Sequence, residues 1–160
     1  MEDFLFQPIG IIHSPFFQTE GMPVQPCGAA GAEGVLELNH DLVEGLADLD
    51  GFSHVWLIYV LHKTGKPRLR VKPFLDDHEH GIFATRSPAR PNPIGMSLVS
   101  LLGIDGNKVR VGNIDVLDGT PLLDIKPYVP SFDQAESARI GWFDGKVDQA
   151  PTRRADNRFG

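Results

Sequence analysis

Apolar residues recur along this chain in short runs broken by glycine, proline and polar clusters, a rhythm that predicts strands joined by tight loops. Eight windows carry it: Gln7–His13, Gly34–Leu38, His54–Leu61, Leu69–Phe74, Gly81–Thr85, Met96–Ile104, Lys108–Asn113 and Leu122–Tyr128. Val55–Leu61 is apolar on both faces and rich in β-branched and aromatic side chains, which suits a central strand covered on two sides. Between Met96 and Asn113 an Asp105-Gly106 pair separates two such windows and predicts a hairpin. Helical spacing is confined to Leu42, Leu46 and Leu49, one face of a short helix over Asp41–Leu49 that Asn39 is placed to cap. One further helical turn is expected near Asp133–Arg139. Many strands and few helices give a mainly β fold, a single β-barrel domain with one or two short helices. That domain is expected over residues 1–148, followed by a polar tail over 149–160 that is mobile or tied down only by a partner subunit. Strands do not alternate with long helices, which argues against a doubly wound nucleotide fold.

With 160 residues the chain suffices for one domain with a real core, and its apolar and charged fractions (41% and 22%) are those of a globular protein. Its longest apolar run, Val55–Leu61, falls far short of the ~20 residues a membrane-spanning helix needs. No basic segment followed by an apolar one opens the sequence, so no secretory signal and a cytoplasmic location are expected. Cys27 is the only cysteine, which excludes an intrachain disulfide and the spacings of zinc fingers and iron–sulfur sites.

The net charge of −6 argues against a nucleic-acid partner until its layout is considered. No Lys or Arg precedes Lys63, and then five basic residues fall between Lys63 and Lys72, with Arg86 and Arg90 soon after. Either this is a solvated rim, or it is a local positive patch for an anionic partner on an acidic body.

Three segments could carry chemistry. Asp76–His80 offers carboxylates and imidazoles for a metal, but consecutive residues of one loop rarely converge on an ion, so a solvated loop and no metal are expected. Gly81–Gly95 holds three prolines and an Asn around Arg86 and Arg90, a rigid loop presenting two planar donor forks suited to carboxylate or phosphate. In Asp115–Tyr128, the Asp118–Pro121 turn exposes backbone groups and a carboxylate, and Asp124, Lys126 and Tyr128 alternate along one strand face.

Four of these stretches, in order, resemble the signatures of the TrmO family (also called YaeB-like or TsaA-like, and related to VirR): Gln7–Pro15, Leu49–Trp56, Phe83–Ser97 and Asp118–Pro130. The resemblance covers about Phe6 to Phe132. It implies a β-barrel, an S-adenosylmethionine cofactor and a homodimer. It further implies methyl transfer to N6 of threonylcarbamoyladenosine beside the anticodon of tRNA. Carried onto this chain, cofactor contacts are expected from Pro26, Cys27 and Gly28, from His62 and Lys63, from Arg86 and Leu98, and from Asp118, Gly119, Thr120 and Pro121. Arg90, Asn92, Lys126 and Tyr128 are expected on the nucleotide side. The catalytic base is unknown, with Asp118 and Asp124 as candidates between which the residues do not choose. Longer members of the family continue into a second, C-terminal domain. This chain stops soon after the barrel motifs, so a short form would grip tRNA through its dimer surface and the Lys63–Lys72 stretch. A small molecule or another RNA as methyl acceptor, or a non-catalytic ligand-sensing module on the same barrel, are the alternatives.

Overall fold

Strands that are apolar on one side and polar on the other bury that side most completely when the sheet closes on itself, which also leaves no unpaired edge. The computed structural model, which describes residues 2–159, shows this solution. Six antiparallel strands close into a barrel in the order β1 (Gly10–His13), β2 (Glu33–Leu38), β7 (Lys108–Gly112), β6 (Ile94–Asp105), β3 (His54–Val60) and β8 (Thr120–Pro127). Alternate residues point inward: Ile12 from β1, Leu36 from β2, Val55 and Leu57 from β3, Val99 from β6, Val109 and Val111 from β7, and Leu122 from β8 are all fully enclosed. Lys108 and Arg110, the intervening residues of β7, face solvent. The expected hairpin is present, its two-residue turn at Gly106-Asn107 opened by Gly106 at φ +56°, a conformation glycine adopts without strain.

Several expectations are corrected. Windows Leu69–Phe74 and Gly81–Thr85 do not join the barrel. They yield only β4 (Arg70–Val71) and β5 (His80–Gly81), a separate two-stranded ribbon, and Ile82–Ala84 turns into a 3-10 helix. Pro67 and Pro73 bracket β4 and have no N–H to lengthen a ladder. The ribbon has its own small core of Val71, Ile82, Ala89 and Phe159. β3 is not covered twice: Val55, Leu57 and Tyr59 fill the barrel, whereas Trp56, Ile58 and Val60 are half-buried on its outer wall. No α-helix spans Asp41–Leu49. Two 3-10 segments, His40–Leu46 and Leu49–Gly51, flank Asp48 at φ +65°, and Gly45 further weakens helical propagation. Leu46 and Leu49 pack on the core, but Leu42 is exposed and the Asn39 amide donates to the Pro8 carbonyl instead of capping. The late helical turn comes earlier than expected, as α1 (Pro130–Asp133) with Pro130 in its first turn. Ser137, at φ +54°, breaks the window that follows.

The tail is also corrected, since it is held by the chain itself rather than mobile or tied only to a partner. Its backbone pairs with the loop after β1 (Gly21 N–H to Ala155 O and Ala155 N–H to Met22 O, both 2.8 Å), and Phe159 packs edge-on against Phe74. Arg158 donates to the carbonyls of Lys72 and Pro73. Nor is the Asp76–His80 loop simply solvated. The Asp76 carboxylate is nearly enclosed and receives Lys146 Nζ and His80 Nε2, each at 2.7 Å, fastening the segment before the tail to the ribbon. Those two contacts, Lys146 first, hold its carboxyl well below the usual carboxylate range. Among the described residues, no helix is long and apolar enough to cross a membrane.

Candidate functional site

Antiparallel pairing puts the C-terminal end of β3 beside the starts of β6 and β8. At that end of the barrel the loops stand away from the core and leave a cavity of about 420 Å³, within the range of sites that enclose a small molecule. It is lined from the strands and their ends by Tyr59, Ile94–Met96, Asp115 and Thr120, from the loops by the segments around Met22–Gln25, Leu61–Thr64 and Thr85–Arg90, and from the C-terminal region by Trp142, Phe143, Ala155, Asp156 and Phe159. Trp142 is fixed there by an Nε1–H bond of 2.7 Å to the Ala84 carbonyl and by stacking on His80.

The polar groups of the cavity are individually placed. Arg86 donates from Nη1 to Gln25 Oε1 at 2.9 Å, leaving the rest of its guanidinium fork for a ligand. Arg90 also lines the cavity, but its Nη1 is occupied by the carbonyls of Thr85, Ile82 and Ser87, so it staples the proline-rich loop. His62 Nδ1 lies 3.3 Å from Thr120 Oγ1, and burial followed by the nearby Lys63 charge lowers its affinity for a proton. Beneath them runs a buried chain of hydroxyls. Ser97 Oγ donates to Asp115 Oδ1 at 2.6 Å and lies 2.9 Å from Tyr59 Oη. Since the single Ser97 proton goes to Asp115, the phenol must be the donor to Ser97. Burial, reinforced by the Asp115 charge, pushes the Tyr59 phenol far above its usual range and keeps it protonated for that task. Burial also pushes the Asp115 carboxyl up to about 6, against the opposing pull of Ser97, its own backbone and Arg86.

Of the residues expected to hold a cofactor, the structure brings His62, Lys63, Arg86 and Thr120 together around this cavity, with Arg90 from the nucleotide set. The others lie elsewhere. Pro26, Cys27 and Gly28 form a 3-10 turn just past the cavity-lining Gln25. Leu98 is on the outer wall of β6, paired with Trp56 of β3. Asp118 accepts the Ser14 N–H at 3.0 Å, and Gly119 donates to the Ile12 carbonyl, so this turn is clamped to β1 with Pro121 following in β8. Asn92 is exposed in the proline-rich loop. Lys126 pairs with Asp124 at 2.9 Å on the outer wall, where Tyr128 meets the edges of Trp56 and His54. Neither candidate base, Asp118 or Asp124, lines the cavity. The sequence reading missed Gln25, Tyr59, Ser97, Asp115, Trp142 and Phe143. For Ser97 a signal exists, a hydroxyl at an inward position between Gly95 and Val99. For Trp142 and Phe143 there is none, because only folding returns them to the barrel end. Among the described residues, no three His, Cys, Asp or Glu side chains gather as metal ligands.

Comparison with known proteins follows the same outline. The family described as tRNA-methyltransferase O N-terminal domain matches residues 11–134. A probable S-adenosyl-L-methionine-binding protein of Pyrococcus abyssi is 49% identical over 96% of this chain and 84% of its own length. The tRNA (adenine(37)-N6)-methyltransferase of Escherichia coli K12 is 39% identical over 81% of this chain and 60% of its own. A crystal structure of TrmO from Pseudomonas aeruginosa superposes with a TM-score of 0.74 at 41% identity, covering 88% of this chain and 63% of that one. The chain thus spans most of the archaeal relative but about three fifths of the two bacterial ones.

Proposed function

The chain belongs to the tRNA-methyltransferase O N-terminal domain family, and from that premise we propose that it is an S-adenosylmethionine-dependent methyltransferase acting on N6 of threonylcarbamoyladenosine beside the anticodon of tRNA. The observation that carries the reading is the cavity itself: a small-molecule-sized space combining Lys63 and Arg86 with a half-buried carboxylate, Asp115. Bound there, S-adenosylmethionine supplies an electrophilic methyl group on a positively charged sulfur. Arg86 and Lys63 suit its carboxylate, because a guanidinium fork and an ammonium form charge-assisted hydrogen bonds with such a group. The apolar wall that includes Leu61 and Phe143 would limit water and help hold donor and acceptor at attack distance, a large contribution in a site without a covalent intermediate.

The same proposal includes a cytoplasmic homodimer. Its support is the outer wall of β3 and β6, where Trp56, Ile58 and Val60 lie beside Leu98, Met96 and Ile94 as a continuous apolar face adjoining the cavity. Asn92, Lys126 and Tyr128 remain the nucleotide-side candidates, with Tyr128 offering an aromatic surface to an unstacked base. Of the other expected cofactor contacts, Thr120 lines the cavity, and Pro26–Gly28 follow directly on the cavity-lining Gln25.

Calorimetric titration with S-adenosylmethionine, beside an Arg86→Ala variant, tests the cofactor. Saturable binding that weakens about tenfold or more in the variant is expected. Absence of binding by the folded protein would overturn the reading. Methyl transfer to tRNA with and without the threonylcarbamoyl group then tests the acceptor, and light scattering tests the dimer.

A further inference from the structure

The proposed reaction must dispose of a proton, because the acceptor nitrogen carries one hydrogen before transfer and none after it. The two carboxylates that sequence suggested as bases are spent elsewhere, Asp118 on the Ser14 backbone and Asp124 on Lys126. Asp115 is differently placed. It lines the cavity; its Oδ1 is fixed by Ser97, and no other residue among those described donates to its Oδ2. The charged and titratable groups around it are Tyr59 and Arg86, with His62, Lys63, Arg90 and Asp156 on the cavity walls.

We propose that Asp115 is the proton acceptor of the methyl transfer, oriented through Ser97 by Tyr59. The proposal rests on the methyltransferase reading above. As the N6–CH₃ bond forms and the CH₃–S bond breaks, the N6 proton passes to Asp115 Oδ2. The sulfonium charge and the carboxylate charge disappear together, leaving a neutral thioether, a methylated nitrogen and a carboxylic acid. A largely apolar cavity favours that outcome, since it removes two partly desolvated charges at once. The order of donors matters. Tyr59 donates a hydrogen bond to Ser97 and Ser97 donates its own to Oδ1, so the free lone pairs of Oδ2 are the ones left to accept. A raised proton affinity at Asp115 fits a base that is mostly ionised at neutral pH yet strong enough to take the proton.

The test compares methyl transfer by the full chain with Asp115→Asn and Ser97→Ala, on threonylcarbamoylated tRNA and across pH. The expected result for Asp115→Asn is a fall in kcat of about a hundredfold or more with little change in S-adenosylmethionine affinity. The parent rate should rise with pH through about 6 and then level off, following the carboxyl. In Ser97→Ala, a positioning variant, the rising limb should move to higher pH because the carboxylate loses its donor. Asp115→Asn that folds, by its thermal unfolding, and retains its kcat overturns the inference alone. So does a variant that instead loses cofactor binding, or a Ser97→Ala profile whose limb stays in place. No transfer by the unsubstituted chain removes the methyltransferase reading, and the inference with it.

Discussion

A Cβ at position 95 would run into the ring of Tyr59, so the glycine near the start of β6 is what lets the phenol lie across the barrel end and reach Ser97. Gly95→Ala forces that ring aside in a close-packed region. Overpacking of this kind costs about 1–3 kcal/mol, roughly 3–10 °C in melting temperature for a chain of this size. A thermal melt should show the fall, and cofactor titration should show weaker binding. An unchanged melt would mean that the ring is free to move away.

Asp115 makes the protein less stable at neutral pH than it would be with a neutral residue there. In the unfolded chain this carboxyl ionises near 3.8, but in the barrel only at about 6. As pH rises through that window the unfolded state gives up the proton first, so stability drops and stays reduced above it. The loss is up to about 3 kcal/mol. Asp115→Asn should therefore be more stable than the parent at pH 8 and similar at pH 4 in denaturant unfolding. A variant less stable at pH 8 contradicts this sign.

The Asp76 latch has the opposite dependence. Lys146 and His80 hold its carboxyl below the ordinary value, so its stabilisation is fully present above pH 3.8 and is lost as pH falls below that. Melting temperatures of the parent and Asp76→Asn should differ most near neutrality and converge on acidification. A gap that stays constant down to pH 3 would show that the contact is not electrostatic.

Phe159 seals the ribbon core and one wall of the cavity. Phe159→Ala should free the last turn of chain, which trypsin would report as faster cleavage at the exposed Arg153 and Arg154. S-adenosylmethionine affinity should fall several-fold in the same variant. Equal cleavage rates would place the anchoring elsewhere, in the Arg158 and Ala155 contacts.

The barrel was readable because inward positions such as Leu36, Val55, Leu57, Val109 and Val111 repeat at period two, and period two survives any loop geometry. The 3-10 segments around Asp48 were not, because Leu42, Leu46 and Leu49 carry helical spacing whether or not Gly45 and a left-handed Asp48 interrupt the backbone. At the site, motif residues on loops at the barrel end, Lys63 and Arg86, were legible by their chemistry. Asp115 was not singled out, since its raised proton affinity comes from enclosure by strands far off in sequence. The Trp142 wall was invisible for a simpler reason: nothing in Gly141–Phe143 announces that the chain doubles back some sixty residues to meet Ala84.

The barrel's closing seam has a consequence for motion. β1 meets β8 over three residue pairs only, Gly10 with Leu122, Ile11 with Pro121 and Ile12 with Thr120, and Pro121 has no amide to contribute, whereas β3 meets β6 over seven. A cylinder sewn unevenly opens where the stitches are fewest, and Thr120, at the end of that line, also lines the cavity. Brief parting of β1 from β8 would therefore let the site breathe while the rest of the wall stays shut, and the amides along this seam should exchange with solvent before those of β3.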